Sequence, residues 1–433
     1  MSGVRYQLDA SVQRFGTALV GGSPLTLFRV TEAGSAAIER LAAGEAVEST
    51  PLVERLLDAG AIHPIRDRSE HTVDDVTLVV PTYGLPAAVP DGAVLVDDGS
   101  QPPVERATVR LEANAGPAAA RNAGLELVDT PLVAFVDADV ELPDGWLDAL
   151  LPHFDDPRVG AVAPRVRSTK GERLLSRYER AHSPLDLGDQ PARIRAGSRV
   201  SYVPAAVLVC RTDAVRSIDG FDSSLRFGED VDLVWRLDDA GWRCRYEPAS
   251  TVDHAPRPDW RAWRRQRVGY GSSAGPLARR HPGRLPPLRT SGWSLGAWLL
   301  AVLGQPVAAA AVGIGSAVAL VPKLPDVPPA AAFRIAAIGN ARAGEHIARA
   351  VRRAWLPLVA LLAIRSRSAR VVLVVSLLEA RHPIVVADDA AYCAGVWRGM
   401  FAARTVDPIV PDIVSWPGGR RRLRRRTGYG PSS

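Results

Sequence analysis

The chain has 433 residues and 47% hydrophobic content, which allows two or three domains with large cores and excludes wholesale disorder. Its net charge is +6, and no recognition-helix or RNA-binding signature accompanies that charge, so nucleic acid is not an expected partner. Cys210, Cys244 and Cys393 lie far apart and match no zinc spacing, which points to a reducing compartment without a disulfide framework.

The first ten residues carry Arg5 and Asp9 but no apolar run, so no secretory signal is expected. Residues 25–30 read as a strand. Thr31 is a plausible N-cap for a helix over 32–43, with Ile38 and Leu41 on one face and Gly44 ending it. Thr50-Pro51 opens a second helix that ends at Gly60, and 61–65 returns as a strand. Residues 1–66 thus suit a small winged-helix-like module, with His63 expected at its surface. The polar stretch 67–75 reads as a linker.

Residues 76–80 form a strand that ends in Pro81-Thr82-Tyr83-Gly84, and 93–96 form a second that ends in Asp97-Asp98-Gly99-Ser100. Asn114-Ala115-Gly116-Pro117 then leads into a helix with Arg121-Asn122. Residues 133–136 are apolar on both faces, as in a buried strand, and run into Asp137-Ala138-Asp139. Strands alternate with helices, and polar signatures recur at strand carboxyl ends, the layout of a nucleotide-binding α/β sheet. Asp97 or Asp98 can accept hydrogen bonds from a base or a ribose. Arg121 offers a planar fork to a phosphate or a carboxylate. Asp137 and Asp139 can hold a hard divalent cation, or they can be an ordinary acidic turn. A dinucleotide fingerprint and a Walker loop are both missing.

Further on, 205–210 is a buried strand. Phe227-Gly228-Glu229-Asp230 enters an amphipathic helix with Asp230 in its first turn, a sensible place for a general base that serves a cleft. Residues 242–248 suggest an edge strand, and His254 after it is a candidate third metal ligand.

These pieces together resemble glycosyltransferase family 2, over roughly 76–254. The resemblance rests on Pro81-Thr82-Tyr83-Gly84, Val96-Asp97-Asp98-Gly99-Ser100, Asn114-Ala115-Gly116 with Arg121-Asn122, Asp137-Ala138-Asp139 and Gly228-Glu229-Asp230. It implies an inverting transferase with the A-type nucleotide-sugar fold. It also implies that Pro81, Thr82, Tyr83, Asp97, Asp98 and Arg121 line the nucleotide and its diphosphate, and that Asp137 serves the ribose or the metal shell. Asp139, with Asp137 and His254, would hold Mn²⁺ or Mg²⁺, and Asp230 beside Glu229 would be the catalytic base. The Gln-x-x-Arg-Trp signature of polymerising members has no exact copy. The nearest stretch is Arg264-Arg265-Gln266-Arg267-Val268-Gly269-Tyr270-Gly271, so long-chain processive synthesis is not expected.

The leading Leu19-Val20-Gly21-Gly22-Ser23-Pro24-Leu25, the segment Trp263-Arg264-Arg265-Gln266-Arg267-Val268-Gly269-Tyr270-Gly271-Ser272-Ser273-Ala274 and the tail Ala391-Tyr392-Cys393-Ala394-Gly395-Val396-Trp397-Arg398-Gly399 are similar to a narrower family, the mycofactocin-system glycosyltransferases. That similarity implies UDP-glucose as donor, a peptide-derived redox cofactor as acceptor and a β-linked oligoglucose product. Two alternatives stay open: a cell-envelope glycan transferase with another nucleotide-sugar donor, and a non-catalytic peptide-binding scaffold.

The rest of the chain, 281–415, reads as helical and partly apolar. Residues 260–267 are basic and aromatic, which fits a diphosphate contact, a lipid headgroup contact or a solvated helix face. Residues 276–287 read as a loop. No charged residue occurs from 290 to 322, a run long enough to cross a bilayer but broken by Pro306, so a membrane segment and a buried helical pair both fit. Apolar stretches 355–364 and 371–378 flank Arg365, Arg367 and Arg370 and suit interfacial or protein-packed helices. The tail 416–433 carries six arginines between 420 and 426, in keeping with an anionic membrane surface or a disordered solubilising end. The expected location is the cytoplasmic side of the membrane, peripheral or with a short inserted segment.

Overall fold

A computed structural model describes residues 4–84 and 89–415; the arginine-rich tail lies outside the described residues. The first elements are β1 (Arg5–Leu8), β2 (Gln13–Phe15), β3 (Ala18–Gly21), β4 (Thr26–Arg29), α1 (Glu32–Ala42), α2 (Pro51–Asp58) and β5 (Ile62–Ile65). Strands β2, β3 and β4 form an antiparallel meander, and β1 pairs with β5. Both helices start as their sequences dictate. Thr31 Oγ1 accepts from Gly34 N, and Thr50 Oγ1 accepts from Val53 N with Pro51 at the first helical position. Leu19, Phe28, Ile38, Leu41, Leu56 and Ile62 make the core of this unit. His63 is buried, not at the surface as expected. Its strand lies on β1, and its Nε2 sits 2.9 Å from the Asp9 carboxylate. Arg193 and Arg243 of the following sheet reach Asp58 and Glu54 on α2, which fastens the two units together.

The next elements are β6 (Val76–Thr82), β7 (Val94–Asp97), β8 (Val109–Arg110), α3 (Pro117–Leu125), β9 (Leu132–Val136), β10 (Val140–Glu141), β11 (Val159–Ser168), α4 (Leu174–His182), β12 (Ala192–Ile194), β13 (Val207–Arg211), α5 (Thr212–Arg216), α6 (Glu229–Asp239) and β14 (Arg243–His254). They build a mixed sheet in the order β10-β14-β11-β13-β9-β6-β7-β8, with β12 also on β14. Strands β9, β6, β7 and β8 run parallel, whereas β13 is antiparallel to both β9 and β11. All five residues of β9 are buried. Val133 and Phe135 face one core while Leu132, Ala134 and Val136 face the other, so strand alternation turns an apolar run into a central, two-sided strand. The segment expected as an edge strand is β14. It is internal, held by β11 on one side and by β10 and β12 on the other.

The chain ends in helices: α7 (Trp260–Ser272), α8 (Ala274–Arg280), then β15 (Arg289–Ser291), α9 (Gly292–Val302), α10 (Pro306–Leu320), α11 (Pro329–Ala350), α12 (Leu356–Ala363), α13 (Arg367–Glu379), α14 (Pro383–Ala403) and β16 (Asp412–Ser415), which pairs with β15. The expected loop over 276–287 is corrected at its start, because Pro276 lies in the first turn of α8. Proline there removes only an N–H that has no partner within the helix. Arg267 is not on a solvated face. It is buried and donates to Glu179 and, at 2.9 Å, to Asp388. That carboxylate also accepts from Tyr178 Oη at 2.8 Å, which ties α4, α7 and α14 together.

Helices α7–α8 and α14 meet backbone to backbone. A Cβ at Gly275 would stand 2.1 Å from the Gly399 carbonyl oxygen, and one at Gly399 would stand 2.1 Å from that of Ser272. Gly271/Gly275 and Gly395/Gly399 are thus two small-xxx-small stripes facing each other. Gly399→Leu is expected to cost at least about 3 kcal/mol through overpacking. Gly296→Ala, where a Cβ meets open space inside α9, is expected to gain about 0.5 kcal/mol. Denaturant midpoints of the two variants check the contrast.

Residues Pro306–Lys323 are long and apolar enough to cross a membrane by length and composition, and only 6% of that window is buried. The uncharged run is therefore a hairpin of α9 and α10 with much of its surface exposed, not a buried pair.

Candidate active site

The site forms at the carboxyl ends of β6, β7 and β9. Thr82 closes β6; its hydroxyl donates to Gly84 O at 2.7 Å, and Gly84 N donates to Ser100 Oγ at 2.8 Å. Tyr83 beside it is 67% exposed. Asp97 is 0% exposed, and its oxygens accept from Ser100 N at 2.8 Å, Val104 N at 3.2 Å and the Arg110 guanidinium. It fastens its own loop from the inside. Asp98 accepts from Ala115 N at 2.7 Å and Gly116 N at 2.9 Å, so it fixes the turn that starts α3. Pro81 lies buried within β6.

Arg121 reaches from α3 into the space between β9 and α6. One nitrogen donates to Glu229 Oε1 at 2.9 Å and another to Asp137 Oδ1 at 2.7 Å. Its ring of contacts is completed by Phe221, whose centroid lies 5.3 Å from the guanidinium carbon. Arg121 is 3% exposed. Burial opposes its charge, but Asp137 and Glu229 outweigh burial and keep it protonated. The fork that the sequence offers to a phosphate or a carboxylate is occupied by two carboxylates. Asn122, the next residue, accepts from Phe221 N at 2.8 Å and donates back to Phe221 O at 2.8 Å, which fixes the loop ahead of α6.

Asp137, Asp139 and His254 converge, each with a ligand atom within 4.8 Å of the others. The short strand β10 brings this about: Val140 stands opposite His254 in the β14 pairing, so Asp139 falls beside the imidazole. Asp139 lies 3.2 Å from His254 Nε2 and 3.3 Å from Arg257. Burial raises the Asp139 pKa, but the hydrogen bond from His254 and the charges of His254 and Arg257 bring it below the usual carboxylate value. Two carboxylates and one imidazole, half-buried to buried and within reach of one another, fit a hard divalent cation such as Mn²⁺ or Mg²⁺.

Across from this cluster, α6 begins at Gly228, whose backbone is left-handed at φ 82° and leaves no room for a Cβ against Ser273 and Leu277. Glu229 is buried on Arg121. Asp230 is half-buried and accepts from Val231 N at 2.8 Å and Ala205 N at 3.3 Å. Burial first, and the Glu229 charge second, push its pKa up to about 7. Tyr270 on α7 has its phenol held above its ordinary value by burial, against Arg267 and Arg257, with Asp230 and Asp137 adding to the rise. Arg257 is therefore a site residue that the sequence reading missed, and Tyr270 is one that it singled out only as part of the 263–274 stretch, without a role. Asp232, two residues on, is fully buried on Arg236, Arg280 and His281 and anchors α6 to α8.

A mixed sheet of this order, with an Asp-x-Asp turn at its carboxyl edge and helices closing over it, is the A-type glycosyltransferase fold. The family model described as Glycosyl transferase family 2 matches residues 93–212. The pre-mycofactocin glycosyltransferase of Mycobacterium tuberculosis is 38% identical over 462 residues, covering 95% of this chain and 98% of that protein. The chain belongs to glycosyltransferase family 2 and, within it, to the mycofactocin-system glycosyltransferases. The N-acetylglucosaminyl-diphospho-decaprenol L-rhamnosyltransferase of the same organism is 29% identical over 185 residues, covering 38% of this chain and 57% of that protein. Among solved structures, the mannosyltransferase of Pyrobaculum calidifontis in complex with GDP-Man and Mn²⁺ aligns at 17% identity with a TM-score of 0.42, over 76% of this chain and 87% of that one.

Proposed function

We propose that this enzyme is an inverting, divalent-metal-dependent glucosyltransferase. It takes glucose from UDP-glucose, transfers it to the peptide-derived redox cofactor of the mycofactocin system, and builds a β-linked oligoglucose there. The observation that carries the reading is the Asp137/Asp139/His254 cluster facing a carboxylate of raised pKa, Asp230, within a chain related along its whole length to a pre-mycofactocin glycosyltransferase.

The residues then divide the work. Thr82 and Tyr83 border the nucleoside side of the cleft. Asp97 and Asp98 hold the loops of the nucleotide pocket in shape. Asp137, Asp139 and His254 hold the cation, which when bound neutralises the diphosphate leaving group. Asp230 accepts the proton of the acceptor hydroxyl as its oxygen attacks the anomeric carbon. Attack opposite the leaving group in a single displacement inverts the configuration. Glu229 and Arg121 orient Asp137 and the start of α6, and Tyr270 walls the site from α7.

The exposed apolar side chains of α9, α10, α12 and α13, among them Leu299, Val307, Leu361 and Leu378, support attachment to the cytoplasmic face of the membrane. The arginine-rich tail adds its charge to that reading.

The test is UDP release from UDP-glucose in the presence of the peptide-derived redox cofactor, with glucosylated product followed by mass spectrometry. Chelator is expected to abolish turnover and Mn²⁺ or Mg²⁺ to restore it. Asp139→Asn is expected to lower turnover at least 100-fold at any metal concentration. Full turnover in chelator would remove the cation, and turnover only with a deoxysugar or furanose donor would remove glucose.

A further inference from the structure

A groove of about 1190 Å³ opens between loop 224–227, helices α7 and α8, and the second half of α14. Six arginines line it and, among the described residues, no carboxylate does. Three are held from behind: Arg226 by Asn114, Arg279 by the Ala403 carbonyl, and Arg280 by Asp222 and Asp232. The other three, Arg264, Arg265 and Arg398, are exposed and have no ion-pair or hydrogen-bond partner among the described residues. The inward-facing arginines of the helical region are neutralised by carboxylates. Arg352 and Arg353 share Asp389, and Arg267 lies between Glu179 and Asp388. What sets this groove apart is that three unpaired guanidinium groups share one concave, apolar-floored space.

Its floor is apolar, made by Leu225, Val268 and Ala394. A volume of this size is far larger than one phosphate needs and matches an organic ligand. Guanidinium groups at the rim select phosphate oxygens by planar, two-pronged hydrogen bonding. An apolar floor beneath them selects hydrocarbon. We propose that this groove binds an anionic phospholipid, with the headgroup phosphate on Arg264, Arg265 and Arg398 and the first part of an acyl chain on the floor. The site is separate from the Asp137/Asp139/His254 cluster and deepens the membrane-surface part of the proposed function.

The test uses the full chain and the double variant Arg264→Glu/Arg398→Glu, both changes being at exposed positions. Flotation is measured with phosphatidylcholine vesicles, with and without phosphatidylglycerol. Phosphatidylglycerol is expected to tighten binding of the parent roughly tenfold, and the double variant is expected to lose that gain while binding neutral vesicles as the parent does. A second measurement needs no bilayer: monomeric short-chain phosphatidylglycerol is expected to raise the melting temperature of the parent and not of the variant. Equal response of parent and variant overturns the assignment. So does inorganic phosphate that stabilises as well as the lipid, which would leave a small-anion site only. If no vesicle is bound and the short-chain lipid still stabilises the parent alone, the membrane reading fails and the lipid groove stands.

Discussion

Asp230→Asn is expected to lower kcat about 1,000-fold with little change in the KM for UDP-glucose, since loss of a positioned base typically costs 10²–10⁴. The amide keeps the size of the side chain and one of the two acceptor positions used by Val231 N and Ala205 N, so α6 keeps its start. The parent carries its own signature. A base whose pKa is pushed up to about 7 is mostly protonated at pH 5, so kcat should climb about tenfold per pH unit and level off above pH 7. The same group has a stability consequence of opposite sense. Its pKa is raised in the folded state, so the fold binds this proton more tightly than the unfolded chain does. The parent therefore loses stability as pH rises from about 4, the unfolded value, to about 7, and the asparagine variant does not. The melting temperature of the variant minus that of the parent should increase over that window and be flat on either side of it. A flat kcat profile from pH 5 to 8, or a variant with near-parent turnover, removes Asp230 as the base.

The parts of this site that the sequence displayed are those where local chemistry alone sets the position. Strand β9 was legible because both its faces are apolar, which only a central strand requires, and the two aspartates follow directly from its end. The start of α6 was legible from Gly228 and the acidic first turn. The pairing of Asp139 with His254 was legible only as two separate candidates, because the strand that joins them, β10, has two residues and no propensity signal of its own. The buried state of His63 depends on Asp9, 54 residues earlier, and that of Arg267 on Glu179 and Asp388. Sequence shows such residues as polar; only the fold supplies their partners. The Gly271/Gly275 and Gly395/Gly399 spacings were in plain view, but a small-residue stripe is informative only once a second one is found against it. Proline at position 276 reads as a breaker unless the helix is known to start two residues before it. Arg121 was legible as a planar fork, yet whether that fork meets a phosphate or carboxylates rests on a contact between α3 and α6 that spans 108 residues.

That contact gives the other large effect. Arg121→Leu is expected to destabilise the protein by about 3–5 kcal/mol, because Glu229 is left buried with its charge uncompensated and Asp137 loses its main partner. The melting temperature should fall on the order of 10 °C. Arg121→Lys is expected to be intermediate, since one ammonium group does not reproduce a fork that spans two carboxylates. The decisive variant is Arg121→Leu combined with Glu229→Gln. Neutralising Glu229 removes the buried unpaired charge, so the double variant should recover at least 1 kcal/mol relative to Arg121→Leu, a coupling of the size found for contacting residues. Turnover should stay low in that double variant, because Asp137 and the first turn of α6 are no longer held in register. A direct diphosphate contact by Arg121 makes the opposite forecast: a raised KM for UDP-glucose, a melting temperature near that of the parent, and no recovery on changing Glu229. Thermal melts of the three variants beside their kcat and KM separate the two roles, and the buried geometry of Arg121, with both ends of its guanidinium already on carboxylates, favours the first.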